Sequence, residues 1–309
     1  MALKNNTWTL NAWYDQDVAG NVSYSGAPTM MVWGNNGGGS AGKLGLNNTT
    51  PTATQVQIPG SWTHIEANPD DGDTAVGAIN TDGELWVWGA NQYGLLGINS
   101  LPPESYSSPI QIPGTNWAIV ASGKKNMGAS KTDGTFWVWG DSRDGALGQN
   151  GPINVFRSSP IQIPGTTWGT NQLSSAAYDR QYLAVKTDGT LWSWGNNDGG
   201  RLGINTPGHR SSPIQIPGTW ALCAMGKNNS MAVKTDGTLW TWGDNNYGRL
   251  GINAGHNSQY SSPKQIPGTT WKTTGKSLSA SEDGMMAIKT DGTLWAWGRN
   301  QFGELGQNN

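Results

Sequence analysis

One cysteine, Cys223, in 309 residues excludes an intrachain disulfide framework. Charged residues make up only 13% of the chain and the net charge is -2, so the basic footprint that nucleic acid or an anionic membrane requires is missing. No apolar run approaches the roughly 18 residues needed to span a bilayer. The opening stretch, MALKNNTWTLNAWYDQ, has neither an apolar core of signal-peptide length nor a cleavage signature. The expectation is synthesis in a cytoplasm without a signal peptide, which is compatible with leaving the cell on a phage particle after lysis. Histidine and phenylalanine are scarce, at three each. Glycine and tryptophan are not: 45 glycines and 18 tryptophans suggest many tight turns between short strands, with indoles supplying the buried surface.

The tryptophans are periodic. Trp-Gly occurs at Trp33, Trp88, Trp139, Trp194, Trp242 and Trp297, at spacings of 55, 51, 55, 48 and 55 residues. Each pair is followed by Leu-Gly, at Leu44, Leu96, Leu147, Leu202, Leu250 and Leu305. Gln-Ile-Pro-Gly recurs from Gln57, Gln111, Gln162, Gln215 and Gln265, and Thr-Asp-Gly turns carry Asp82, Asp133, Asp188, Asp236 and Asp291. Trp8, Trp62, Trp117, Trp168, Trp220 and Trp271 open the units, and Trp13 alone is out of register. MALKNNTW aligns with IQIPGTTW, which places Met1 and Leu3 where Ile161 and Ile163 fall. Six units result, at approximately 1–54, 55–108, 109–159, 160–212, 213–262 and 263–309 of a single domain.

Within residues 213–250, PIQIPG reads as a first strand ended by a Pro-Gly turn, and WALCAMG as a second. SMAVKTDG reads as a third closed by Asp-Gly, and TLWTWGDN as a fourth. Helical periodicity is absent. The expected fold class is all-β, a closed β-propeller of six four-stranded blades, in which Trp33, Trp88, Trp139, Trp194, Trp242 and Trp297 fill the seams between neighbours.

WGANQYGLLG (88–97), WGDNNYGRLG (242–251) and WGRNQFGELG (297–306), each preceded by Thr-Asp-Gly, resemble the regulator-of-chromosome-condensation repeat over nearly the whole chain. The match is read here as a prokaryotic or phage-type member. The resemblance implies a propeller, with seven blades as the family norm against six units in this sequence. Its founding member binds chromatin and exchanges nucleotide on a small GTPase. Neither activity carries over, because this chain shows no basic tail and no long blade insertion. Other members include a secreted β-lactamase inhibitor and an ultraviolet photoreceptor, whose Trp-Arg-His motif is missing here. Such divergence means that function must be argued from the site.

Candidates for chemistry are few, and the reading is a protein that is not an enzyme and needs no cofactor. His64 follows Trp62 by two residues and reads as an ordinary strand residue. His209 and His256 occupy equivalent loops but have no paired ligands at metal spacing. Asp70, Asp71 and Asp73 could cradle calcium only without the usual twelve-residue loop, and a solvated loop tip explains them better. The Thr-Asp-Gly aspartates read as turn residues, and Cys223 as a small buried side chain.

Alternating strand directions would put the Pro-Gly and Asp-Gly turns on one face and all the variable loops on the other. Those loops carry Tyr106, Phe156, Arg157, His209, Arg210, His256 and Tyr260, the aromatic and arginine types that protein interfaces favour. The expectation is a non-enzymatic binding or structural module with a protein partner, without nucleic acid and without membrane insertion. A phage virion component, contacting other virion proteins or a host surface receptor, is one form of it. A soluble bacterial protein such as an enzyme inhibitor is the other.

Overall fold

The computed structural model describes residues 28–37, 42–68, 74–100, 105–151, 154–175, 180–255 and 257–306. Among them the chain is all-β, interrupted only by three-residue 3-10 turns. The first sheet pairs β1 (Met30–Gly34) with β2 (Thr52–Ile58). The second runs β3 (Trp62–Ala67), β4 (Ala75–Asn80), β5 (Leu85–Ala90) and β6 (Ser105–Ile112). The third is β7 (Trp117–Ser122), β8 (Asn126–Lys131), β9 (Phe136–Asp141) and β10 (Phe156–Ile163). The fourth is β11 (Trp168–Ser175), β12 (Gln181–Lys186), β13 (Leu191–Gly195) and β14 (Arg210–Ile216). The fifth is β15 (Trp220–Met225), β16 (Asn229–Lys234), β17 (Leu239–Asp244) and β18 (Gln259–Ile266). The sixth holds β19 (Leu278–Ala280), β20 (Gly284–Ile288) and β21 (Leu294–Gly298), with Trp271 bridged to Lys289.

The phase of the strands differs from the sequence reading. The Gln-Ile-Pro strand is not the first of its own unit; it hydrogen-bonds as the last strand of the preceding sheet, with Leu191 opposite Ile216 and Trp192 opposite Gln215. The cause lies in the two connections flanking that strand. The loop after Leu202-Gly203 folds back antiparallel, whereas Pro217-Gly218 offers one residue without an N–H and one with φ +123°. The chain therefore steps to the next sheet, where the Trp220 N–H donates to the Gly189 carbonyl of the previous Thr-Asp-Gly turn at 2.7 Å. The same stitch joins Trp117 to Gly83 and Trp168 to Gly134.

The core lies between sheets. One cluster joins Ile79, Leu85, Leu96 and Ile112 of the second sheet to Trp117, Val120, Met127 and Trp139 of the third. The other clusters likewise combine residues of neighbouring sheets. Trp88, Trp139, Trp194 and Trp242 are all fully buried there. Each indole N–H crosses the seam to a carbonyl next to the previous Leu-Gly: Trp88 to Lys43, Trp139 to Leu95, Trp194 to Ala146 and Trp242 to Arg201, at 2.8–3.0 Å. Burial of the ring with its one donor satisfied is what an indole requires. The glycine after each indole is needed for close approach: a Cβ on Gly195 would stand 2.1 Å from the Arg180 carbonyl oxygen. Trp297 is half-buried. Trp33 differs from the seam expectation, being 58% exposed. Its neighbouring segment, residues 1–27 with Trp8 and Trp13, lies outside the described residues.

Candidate functional site

Thr-Asp-Gly turns close one face. Asp188 accepts from the Thr190 N–H and hydroxyl at 2.9 and 2.7 Å, and Thr190 accepts from the Trp192 indole at 2.8 Å. The same relay occurs at Asp133, Asp236 and Asp291. Lys186 lies 4.5 Å over Trp168 and 4.3 Å over Trp192, and Lys131, Lys234 and Lys289 repeat the sandwich. The side chains here bond to one another. Hydrogen bonds from Thr190 hold the Asp188 carboxyl below its ordinary value.

The opposite face is built on the W-G-x-N-x-x-G-x-L-G segment. Asn91 accepts from the Leu96 N–H at 3.0 Å, and Asn197 and Asn245 do the same for Leu202 and Leu250 at 3.1 Å. The chain makes 3-10 turns after each of these asparagines, at Gln92–Gly94, Asp198–Gly200 and Asn246–Gly248, and also at Arg143–Gly145, where Ser142 stands in the asparagine place. The middle residue of each is left-handed: Tyr93 at φ 61°, Asp144 at 56°, Gly199 at 68° and Tyr247 at 57°. A tyrosine in that region is strained, and such strain clusters at functional sites.

Four of the sequence candidates share one repeat position. Tyr106, Arg157, Arg210 and Tyr260 pair opposite the glycine of their sheet's Trp-Gly: Gly89, Gly140, Gly195 and Gly243. Tyr106 and Tyr260 are half-buried there and pack onto the seam cores. Arg210 folds onto its own loop, donating to the Gly208 and His209 carbonyls at 3.0 Å and to Thr206 at 2.7 Å. Arg157 is exposed beside a shallow depression bordered by Ser142, Leu147, Gln149, Val155 and Ser211. Phe156, 44% exposed, precedes it on the strand, so the two side chains leave opposite faces of the sheet. His256 lies outside the described residues, as do Asp70, Asp71 and Asp73. Among the described residues no group of three His, Cys, Asp or Glu side chains is placed to hold a metal.

Phe156 and His209 instead join residues that the sequence reading missed. Phe156 packs on Tyr93 with centroids 4.9 Å apart. Lys125 donates to the Tyr93 hydroxyl at 3.2 Å and lies 4.5 Å over its ring, with Arg143 on the ring at 5.1 Å. The Lys125 hydrogen bond draws the Tyr93 phenol below its ordinary value. Asp141, fully buried, binds Arg143 at 2.5 Å and Arg180 at 2.9 Å. Asp144 takes Arg180 at 3.0 Å, Asn196 at 3.1 Å and His209 Nε2 at 3.6 Å. Burial pushes the Asp144 carboxyl up, but those partners outweigh it and hold the group below the usual carboxylate value. The one available signal was variation before an invariant glycine, at the repeat position that reads Tyr93, Asp144, Gly199, Tyr247 and Phe302.

Elsewhere, burial pushes the Cys223 thiol up to about 12, which leaves it inert as a nucleophile. His64 meets the Val120 carbonyl at 2.9 Å, and burial lowers its pKa.

The family description "Regulator of chromosome condensation (RCC1) repeat" matches residues 82–126, 188–233 and 236–277, and a second description of the same repeat matches 276–304. Together these cover about half the chain. The human E3 ubiquitin-protein ligase HERC2 is 27% identical over 280 residues, which are 87% of this chain and 6% of the ligase. The ultraviolet-B receptor UVR8 of Arabidopsis thaliana is 28% identical over 191 residues, 60% of this chain and 41% of the receptor. The chain therefore spans less than half the length of either relative. Among solved structures, Prp20p from Saccharomyces cerevisiae superimposes with a TM-score of 0.68 at 19% identity, over 93% of this chain and 70% of that one. Human WBSCR16 does so with 0.67 at 18%, over 84% and 67%. The named relatives are eukaryotic, and none points to a prokaryotic or phage-type origin or to a virion role. Four agreeing repeat markers, the indole seams and these matches lead to one conclusion: the chain belongs to the regulator-of-chromosome-condensation repeat family and has its β-propeller fold.

Proposed function

We propose that this propeller is a protein-binding module whose partner seats on the variable-loop face. The observation that carries the reading is the contrast between the faces. On one, Asp, Thr, Trp and Lys side chains satisfy one another in repeated turns. On the other, Phe156 and Arg157 are exposed and Tyr93 is held in a left-handed backbone. Aromatic and arginine side chains carry most of the energy at protein interfaces. The related yeast propeller Prp20p binds Gsp1p and histones and has been seen bound to Kap60, which supports the same class of role here. Within this reading the ring has six blades.

Placing a photo-crosslinking residue at Phe156, and separately at Thr187 beside the Asp188 turn, tests the assignment in lysate of the producing cell. Partner adducts should form from position 156 and not from position 187. Adducts formed from 187 alone would reject it.

A further inference from the structure

We infer that the Tyr93–Phe156 platform binds an acidic polypeptide segment, one that presents carboxylates around a single aromatic or long aliphatic side chain. The inference deepens the protein-binding reading and rests on it. The platform joins the second and third sheets, with Tyr93 and Phe156 at 4.9 Å and Phe156 open to solvent. Three cations surround it: Lys125 over the ring, Arg143 on the ring and Arg180 behind Arg143 on their shared carboxylate.

The two acids nearby pair with the two arginines, which leaves Lys125 as the cation with no carboxylate partner among the described residues. Asp141 is fully buried and Asp144 faces Arg180, Asn196 and His209, so both are engaged from within. They fix the guanidinium groups, which remain 33% exposed at Arg143 and 22% at Arg180. Guanidinium groups held this way are preorganised for bidentate contact with a carboxylate.

The equivalent position three sheets on is different. Tyr247 is exposed and left-handed, and Arg249 and Arg299 share Asp283 as Arg143 and Arg180 share Asp141, but Lys227 there is bound to Glu282, whereas Lys125 meets the Tyr93 ring and hydroxyl. In between, Gly199 offers no side chain at all. The cationic aromatic patch is therefore local. It offers a few cations around one ring pair on a chain of net charge -2, which suits a short acidic peptide better than a phosphate backbone tracked over many charges.

The test is fluorescence anisotropy of the full chain with a labelled twelve-residue peptide of Glu and Asp around one central Phe. Saturable binding is expected, and Phe156→Ala and Lys125→Glu should each weaken it about tenfold or more, as removal of an interface anchor does. Unchanged thermal midpoints in both variants would show that folding is intact. The same peptide with Gln and Asn in place of its acids should not bind. No binding of the acidic peptide, equal binding of the neutral one, or tighter binding of a single-stranded oligonucleotide would each overturn the inference. Crosslinking from position 156 with a partner indifferent to Lys125→Glu would overturn it while leaving the protein-binding reading in place.

Discussion

The indole N–H of Trp194 donates to the carbonyl of Ala146 at 3.0 Å, across the seam between the fourth and third sheets. The ring also stacks on Tyr182 at 5.3 Å and meets Phe136 and Trp168 edge-on, so four aromatics share one buried volume. Trp194→Ala should lower stability by about 3–5 kcal/mol, the range for removing a large core aromatic. Trp194→Phe keeps most of the packing but strands the Ala146 carbonyl, and should lower stability by about 1–3 kcal/mol. Urea unfolding followed by circular dichroism measures both. Midpoints equal to wild type would mean that the indole does not bind the seam.

That seam was legible in the sequence because tryptophan is rare and its spacing survives loop variation. Trp88, Trp139, Trp194 and Trp242 could be placed on one repeat position by counting alone. The phase of the strands could not. Ile-x-Ile-Pro-Gly states that a strand ends at the proline, not which of two neighbouring sheets it joins; that depends on the Trp220 to Gly189 hydrogen bond and similar stitches. Phe156 was readable as an exposed aromatic. Its companions were not, because Lys125, Arg143 and Arg180 come from three separate turns and meet only through Tyr93 and the buried Asp141. Tyr106 and Tyr260 look like interface residues in sequence yet serve as packing above the Trp-Gly glycine.

Acidification should loosen the Thr-Asp-Gly face only at low pH. Bonds from Thr190 depress the Asp188 carboxyl below its ordinary value, and Asp133, Asp236 and Asp291 are depressed in the same way by their own threonines. A carboxyl lowered in the folded state contributes stability that is complete above the unfolded value and lost as pH falls through the folded one. The turns should therefore hold at pH 5 and release below about pH 4. Carboxyl carbon shifts in a pH titration by NMR would show it, with the Trp192 indole N–H moving in step because it donates to Thr190. Asp188→Asn should abolish the step at Trp192 and leave those at Trp137 and Trp240 unchanged.

Closure of the ring gives the last test. Each of the second to fifth sheets takes its fourth strand from an Ile-rich run, and the leucine or phenylalanine facing that run is buried: Leu85, Phe136, Leu191 and Leu239 are all at most 1% exposed. In the sixth sheet the equivalent Leu294 is 64% exposed and Trp295 49% exposed among the described residues. In the sequence, MALKNNTW (residues 1–8) aligns with IQIPGTTW, with Leu3 in the place of Ile163. Deleting residues 1–8 should then lower stability by about 2–4 kcal/mol, since burying one large aliphatic side chain is worth ~1.5–3 kcal/mol and the strand also adds ladder bonds. Hydrogen exchange separates this from general damage. The Leu294–Gly298 amides should be protected in the full chain and exchange freely in the truncated one, while Leu239–Asp244 stays protected in both. Leu3→Asp should act as the deletion does. Equal exchange at Leu294–Gly298 with and without residues 1–8, or a ring of seven spokes by electron microscopy, would reject closure by this segment.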